Sequence, residues 1–97
     1  MTVITPKQRA ALRAMANGLD TILYVGVQGV TPQTVKEAYD ALKARELIKC
    51  AVQQNAPLTA REACDMLCEK TGAAPVQVIG RRFVMYRPNE KDPKIVI

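Results

Sequence analysis

The sequence predicts a compact α/β domain in which helices pack on a mixed four-stranded sheet. Three observations predict this fold. Apolar strand-like segments alternate with helix-like segments, the last two strands are joined by a short glycine turn, and the chain has 97 residues, which suits one domain with one modest core. Helices between successive strands allow parallel pairing, whereas the strands of a hairpin are antiparallel. The predicted order is therefore α-β-α-β-α-β-β.

The first predicted helix begins at a well-defined capping signal, Thr5-Pro6-Lys7-Gln8. Threonine caps the helix, proline pre-sets its first turn, and glutamine three residues after the cap completes a capping box. Apolar residues then repeat at helical spacing as far as Gly18, where the helix is expected to stop. The basic residues of this helix fall mainly away from its apolar stripe, so its outer side is basic: Lys7, Arg9 and Arg13.

A glycine loop follows the first strand. The apolar strand at residues 21–25 runs into Gly26-Val27-Gln28-Gly29, and a second helix begins at once with Thr31 as cap and Pro32 at its first position. Glycines permit a tight turn and leave no side chain between the backbone and a bulky partner. The first turn of a helix adds unbonded N–H donors. These are the parts of a site for a phosphate or a nucleic-acid backbone, and a plain strand-to-helix turn is the alternative interpretation.

The next two elements are a strand and a third helix. Residues 47–52 alternate as in a strand covered on one face, and Lys49 among them is expected on the open face of the sheet or at its rim. A second capping box, Thr59-Ala60-Arg61-Glu62, starts the third helix, which Gly72 ends.

The chain closes with a hairpin and a charged tail. Strands at 75–79 and 83–87 flank Gly80-Arg81-Arg82, which predicts a hairpin with two arginines at its tip. Arg87 lies at the end of the last strand. Because Pro88 stops that strand, we assign residues 1–88 to the domain and expect the tail at 89–97 to be mobile.

Composition limits the possible partners. Fourteen Lys and Arg against nine Asp and Glu give a formal net charge of +5, which favours a polyanion such as nucleic acid, although solvated basic surfaces are also common. No apolar run has the length of a membrane span, and the N-terminus lacks an export signal, so we expect a cytoplasmic protein with no membrane partner. Cys50, Cys64 and Cys68 fit apolar patterns and are expected to be reduced and buried.

Catalysis and cofactors have little support in the sequence. With no histidine and no CxxC, a metal site is not expected. The absence of histidine also excludes His-based triads, and no paired carboxylates form a pattern. The glycine loop lacks the Lys-Ser/Thr ending of a nucleotide-hydrolysing P-loop. The sequence therefore predicts a protein that is not an enzyme, with no catalytic residue, no cofactor and no small-molecule substrate.

Four segments resemble the CRM (chloroplast RNA splicing and ribosome maturation) domain family, and in particular its stand-alone bacterial YhbY-like members. The similarity spans roughly residues 4 to 88, and the segments keep the family's order and spacing. They are Leu23-Tyr24-Val25-Gly26-Val27-Gln28-Gly29-Val30-Thr31, Glu46-Leu47-Ile48-Lys49, Thr71-Gly72 and Val76-Gln77-Val78-Ile79-Gly80-Arg81-Arg82-Phe83-Val84-Met85-Tyr86-Arg87-Pro88.

The resemblance implies an RNA-binding domain with a fold similar to the C-terminal domain of translation initiation factor three. Bacterial members of the family associate with precursors of the large ribosomal subunit, so the implied partners are rRNA and the immature ribosomal particle. The family's RNA contact is the GxxG loop with its basic surroundings. In this sequence the family's loop positions are Gly26, Val27, Gln28 and Gly29. The residue pattern of the chain itself adds Thr31 at the helix start, and it adds these candidate phosphate contacts: Lys7, Arg9, Arg13, Lys49, Arg81, Arg82 and Arg87.

The GxxG loop itself contains no lysine or arginine. The resemblance therefore implies that the loop fits the RNA backbone by shape and N–H donors, while neighbouring elements supply the charge. Two alternatives remain at this point: a basic module that docks on an acidic protein, and a binder of another structured RNA. Binding that survives ribonuclease would favour the first alternative, whereas steep loss of affinity with salt favours RNA.

Overall fold

The computed structural model describes residues 2–97, which form three helices and one four-stranded sheet in the predicted order. The sheet order is β1-β2-β4-β3, with β1 parallel to β2 and the other two pairs antiparallel. The predicted α/β class and mixed sheet are confirmed. The elements are α1 (Pro6–Ala16), β1 (Thr21–Val25), α2 (Pro32–Arg45), β2 (Leu47–Val52), α3 (Ala60–Thr71), β3 (Ala74–Ile79) and β4 (Arg82–Tyr86).

Each helix starts with a capping box. Those of α1 and α3 are the predicted ones, at Thr5 and Thr59. The third was not foreseen: Thr31 caps α2, and the partner three residues later is Thr34, whose hydroxyl replaces the usual glutamate or glutamine. The caps satisfy backbone N–H groups that a helix start otherwise leaves unbonded, which fixes where each helix begins.

The two faces of the sheet are covered unequally. The larger core lies between the sheet and the helices α2 and α3, and its biggest side chains include Leu42, Ile48 and Phe83. The smaller core lies under α1, where Leu12 and Ala16 pack with the parts of the sheet that include Leu47, Val84 and Tyr86. Because a single helix crosses this second face, the part of it near the ends of β1 and β2 stays exposed.

Two aromatic side chains differ in burial. The helical spacing of α2 predicts Tyr39 on the inward face of that helix, yet 40% of Tyr39 is exposed, whereas Phe83 is buried in the larger core, where we expect it. The Arg87 guanidinium lies over the Tyr39 ring, 4.9 Å from the centroid, a distance at which a cation is attracted to an aromatic face. All three cysteines are buried, as predicted.

A buried carboxylate holds the C-terminal segment. Glu46 is 1% exposed, and its carboxylate oxygens accept hydrogen bonds from the backbone N–H groups of Asn89, Lys94 and Ile95, at 2.8, 2.6 and 3.1 Å. Ile95 also packs against the smaller core. The mobility expected for residues 89–97 stays a prediction. Any such motion would have to break the hydrogen bonds to Glu46 and the packing of Ile95.

Among the described residues, none of the helices combines the length and the hydropathy needed to span a bilayer.

Candidate RNA-binding surface

The GxxG loop and the hairpin tip lie at the same end of the sheet. The N–H of Gln53 donates to the carbonyl of Val25 at 2.8 Å, and the N–H of Val52 donates to the carbonyl of Arg81 at 2.7 Å. These two bonds tie the ends of β1 and β4 to the end of β2, which lies between them. Two motifs more than 50 residues apart in sequence thus border one surface.

The GxxG loop is a tight turn closed by a hydrogen bond from the N–H of Gly29 to the carbonyl of Gly26, at 2.9 Å. Val27 and Gln28 occupy its central positions and are exposed. Gly29 is itself buried, with a φ of 71°, in the left-handed region that favours glycine. Gly29 therefore shapes the turn, whereas Val27 and Gln28 form the exposed edge of the loop and Gly26 is partly exposed.

The first turn of α2 offers fewer donors than we expected. Pro32 has no N–H, and the N–H of Thr34 donates to the Thr31 hydroxyl at 3.2 Å. The N–H of Thr31 is also bonded, to the Thr34 hydroxyl. Among the described residues of the first turn, this leaves Gln33 as the one whose backbone N–H is not bonded within the capping box. The capping box explains the difference, because it satisfies the donors internally.

The two glycines of the loop should respond differently to alanine. A Cβ on Gly29 would lie 3.4 Å from Pro57 Cγ and 3.5 Å from Leu58 Cδ2, on a backbone with positive φ. We expect Gly29→Ala to lower the free energy of unfolding by about 1–2 kcal/mol. Gly26→Ala meets only the end of the exposed Gln53 side chain, at 2.9 Å, and should change stability by less than about 0.5 kcal/mol. Urea unfolding of both variants tests this, and equal losses would contradict it.

The hairpin has a shorter tip than predicted. Its turn consists of Gly80 and Arg81 alone, and Gly80 has a φ of 57°. Arg82 is the first residue of β4 and pairs with Ile79 on one side and Ala51 on the other. The prediction that both arginines lie at the tip is therefore wrong for Arg82. A two-residue glycine turn suffices to connect the strands, so Arg82 enters the ladder.

Two rows of side chains cross the exposed part of the sheet. Strand pairing aligns Tyr24, Ala51, Arg82 and Ile79 in one row and Lys49, Val84 and Gln77 in the next. Tyr24 is 57% exposed and Ile79 is 63% exposed, whereas Val84 is buried under α1. We call the solvent-accessible members of these rows the open face: Tyr24, Lys49, Ala51, Gln77, Ile79 and Arg82.

A cleft runs over the open face to the end of α1. Asn17, which follows the last turn of α1, lines this face cleft together with Lys49, Gln77, Ile79 and Arg82. The described residues that line it include no acidic side chain. Lys49 thus lies where the sequence placed it, on the side of the sheet that α1 covers only in part.

A second cleft follows the free edge of β3. Arg9 and Arg13 from α1 and Arg61 from α3 line this edge cleft with residues 75–79. The Nε of Arg9 donates to the carbonyl of Pro75 at 3.4 Å, which holds its guanidinium beside the strand. Lys7 is exposed in the first turn of α1, at the end of the helix remote from the open face.

The cations of the open face and the hairpin tip make no ion pair with the residues that the structure describes. Among residues 2–97, the ion pairs are Lys36–Asp40, Arg61–Asp65 and Arg87–Glu90, all with at least one exposed partner. Lys49, Arg81 and Arg82 take part in none of them. A cation without an internal counter-ion remains available to a negatively charged ligand.

Arg87 lies apart from the other candidate residues. It follows β4 at the opposite end of the sheet from the GxxG turn, because the pair Leu47–Tyr86 marks that end. Its guanidinium is engaged by the Tyr39 ring and by Glu90, at 3.5 Å. The structure therefore does not bring Arg87 together with the open face.

Six residues of this region were not among the site residues predicted from the sequence: Asn17, Tyr24, Ala51, Arg61, Gln77 and Ile79. For Tyr24 a signal existed, because Leu23 and Val25 face the larger core and strand alternation turns the residue between them to the other side. Gln77 and Ile79 join the open face because β3 pairs with β4, and Arg61 approaches because α3 packs beside the same strand. These last three depend on tertiary structure.

Among the described residues, neither of the two clefts is lined by a Cys, Asp or Glu side chain. Within residues 2–97, no group of three or more His, Cys, Asp or Glu side chains is arranged to hold a metal ion. Burial raises the pKa of the Cys50 thiol to about 12, which keeps it protonated and unreactive at neutral pH.

The fold and this surface define a class of small α/β domain that carries a GxxG turn beside a basic, partly open sheet. Residues 4–87 match the profile of the CRS1 / YhbY (CRM) domain, and the chain belongs to this family. The resemblance inferred from the sequence is thus confirmed.

The chain is similar over nearly its whole length to proteins named for RNA binding. It is 34% identical over 93 residues to YqeI of Bacillus subtilis, named a probable RNA-binding protein, covering 96% of this chain and 97% of that one. It is 34% identical over 91 residues to an RNA-binding protein of Haemophilus influenzae, covering 94% and 92%. The solution structure of the hypothetical protein SAV1595 from Staphylococcus aureus, described as a candidate RNA-binding protein, has a TM-score of 0.82 and 36% identity, covering 98% of this chain and 99% of that one.

Proposed function

We propose that the protein binds RNA, without catalysing a reaction, through the GxxG turn, the hairpin tip and the open face. The observation that carries the proposal is the group of three cations Lys49, Arg81 and Arg82, which make no ion pair among the described residues. Arg81 lies at the end of the sheet that carries the GxxG turn, and Lys49 and Arg82 line the face cleft. Phosphates bind to such cations with release of condensed counterions, which supplies most of the affinity for a nucleic-acid backbone. The names of the relatives in Bacillus and Haemophilus support the same partner.

We further propose that the RNA is rRNA of the large-subunit precursor and that the protein acts in the cytoplasm as an assembly factor. The partly exposed backbone at Gly26 and the exposed side chains of Val27 and Gln28 would fit against one RNA segment, while the cations hold its phosphates. Contacts of this kind hold an RNA shape without reading its sequence. Later ribosomal proteins would then displace the factor.

Sedimentation of a cell lysate at low salt tests this proposal. The protein, followed by antibody, should migrate with large-subunit precursors, and ribonuclease should return it to the top of the gradient. If the untreated protein stays at the top, the ribosomal assignment fails. Co-migration that survives ribonuclease would favour the second candidate function, a basic module that docks on an acidic protein, for which the net charge of +5 is the supporting observation.

Removing both hairpin arginines should weaken RNA binding evenly. We expect Arg81→Ala with Arg82→Ala to lower the affinity for different RNAs by a similar factor, because phosphate contacts carry no sequence information. The slope of log affinity against log salt should fall in magnitude by about 2, close to the value for two lost phosphate contacts. Fluorescence anisotropy over a range of salt concentrations measures both quantities. An unchanged affinity in this variant would remove the hairpin from the binding surface.

A further inference from the structure

The edge cleft and the face cleft share a wall. Gln77 and Ile79 of β3 line both clefts, so these two residues form an uncharged ridge. Arg9, Arg13 and Arg61 lie on one side of the ridge, and Lys49 and Arg82 lie on the other. The edge cleft and the face cleft are therefore two separate cationic clefts, one on each side of the narrow ridge.

The separation of the clefts is set by the sheet. Lys49 is on β2 and the edge cleft lies beyond β3, with β4 between those strands. Two inter-strand spacings amount to about 10 Å before the length of the side chains is added. A single nucleic-acid backbone in one cleft would therefore leave the other cleft empty. Two backbones that run side by side, about that distance apart, could fill both clefts.

We propose that the ridge of Gln77 and Ile79 faces the minor groove of double-stranded RNA, with one phosphate strand in each cleft. The inference rests on the proposed RNA-binding function and adds to it the class of RNA and a role for Arg61. A-form RNA has a wide, shallow minor groove that displays 2′-hydroxyl groups, which a low ridge can approach and to which the Gln77 amide can donate or accept hydrogen bonds.

The aromatic content of the surface points away from single-stranded RNA. Proteins that bind single strands stack successive bases on several aromatic rings. Among the described residues of the open face, Tyr24 is the one aromatic side chain. The two clefts instead offer guanidinium and ammonium groups, which suit phosphates.

The free edge of β3 is poorly suited to an added peptide strand. Pro75 lacks an N–H donor, and the pairing register shifts between Pro75 and Gln77. Both features discourage strand addition at an edge. The arginines beside this edge are therefore better explained by a phosphate backbone than by an acidic peptide.

The Arg61 side chain is available to a ligand although it contacts Asp65. Arg61 is exposed, and its ion pair with Asp65, at 3.5 Å, is of a kind that contributes little stability in water. The side chain can therefore turn to a ligand at little cost.

Matched oligonucleotides test the inference. A duplex of about 20 base pairs, each of its RNA strands alone, and the DNA duplex of the same sequence are compared by fluorescence anisotropy; the length exceeds the roughly 16 base pairs that a double-stranded-RNA domain spans. We expect the RNA duplex to bind about tenfold more tightly than either single strand or the DNA duplex, whose minor groove is only about 6 Å wide. Gln77→Leu should reduce the preference for RNA over DNA duplex.

Arg61→Ala tests the edge cleft. We expect it to weaken binding of the RNA duplex severalfold and to reduce the magnitude of the salt slope by about 1, as for one lost phosphate contact. Lys70→Ala is the matched control, because Lys70 is exposed in the last turn of the same helix, and it should leave both quantities unchanged.

The outcomes separate the inference from the proposed function. If single-stranded RNA binds as tightly as the duplex, or if Arg61→Ala has no effect, the two-cleft assignment is overturned while RNA binding stands. If neither form of RNA binds at low salt, the proposed function fails and the inference fails with it. Binding of poly-glutamate as tight as that of RNA would overturn both in favour of an acidic protein partner.

Discussion

Reversing two charges of the open face, by Lys49→Glu with Arg82→Glu, is expected to lower the affinity for RNA by at least about a hundredfold at low salt. Each substitution removes a cation that the protein does not neutralise internally and puts a carboxylate in its place. The loss therefore contains both the missing phosphate contacts and new repulsion. Lys49 and Arg82 line the same cleft, so both charges act on one stretch of RNA backbone.

The control for this variant keeps the net charge equal. Lys43→Glu with Lys70→Glu makes the same change of charge at exposed positions in the last turns of α2 and α3. If general attraction between a basic protein and RNA were the whole cause, both variants would lose affinity equally. Anisotropy titration distinguishes the two cases, with circular dichroism to verify that each variant is folded. Equal losses would contradict a binding site on the open face.

Removing the buried carboxylate of Glu46 is expected to cost about 2–4 kcal/mol of unfolding free energy. Glu46→Ala leaves the backbone N–H groups of Asn89, Lys94 and Ile95 without their acceptor. It also loosens Ile95 from the smaller core. Glu69→Ala, at an exposed position of α3, is the control and should change stability by less than about 0.5 kcal/mol. Urea unfolding measures both variants, and similar small losses would show that the tail does not depend on Glu46.

The same carboxylate makes stability depend on pH. Burial by itself would raise the pKa of Glu46, but the three N–H donors and the charge of Lys94 outweigh burial and hold that pKa below its ordinary value. A carboxyl with a lowered pKa in the folded state stabilises the fold above its unfolded-state pKa, and this contribution is lost as pH falls through the folded-state value. Glu46→Gln mimics the protonated group. The difference in unfolding free energy between the natural protein and Glu46→Gln should therefore shrink on acidification, and a difference that grows would contradict this assignment.

Local signals predicted the elements of the fold well. The caps at Thr5 and Thr59 and the glycines at 72 and 80 act within a few residues of the chain, so their effects can be inferred from sequence. The strand order β1-β2-β4-β3 could not be predicted from local signals, because the pairing of β2 with β4 joins segments more than 30 residues apart in sequence. No local pattern specified which strand would lie in the middle.

The candidate site divides in the same way. The GxxG turn and Lys49 were identified from motif and alternation, and the structure places the turn at the end of the sheet and Lys49 on the open face. Arg82 was misplaced because the turn is one residue shorter than expected. Glu46 escaped notice because its partners are 43 to 49 residues away in sequence. The ridge formed by Gln77 and Ile79 appears only once α1, α3 and β4 are in place around β3.

The surface that contacts RNA can be mapped directly by titrating an RNA duplex into ¹⁵N-labelled protein and following the backbone amide signals. We expect the largest shifts at residues 9–13, 22–30, 49–53, 61 and 77–82, which comprise the two clefts, the GxxG turn, the hairpin tip and the open face. Shifts concentrated instead around Tyr39, Arg87 and the tail, at the opposite end of the sheet, would contradict it.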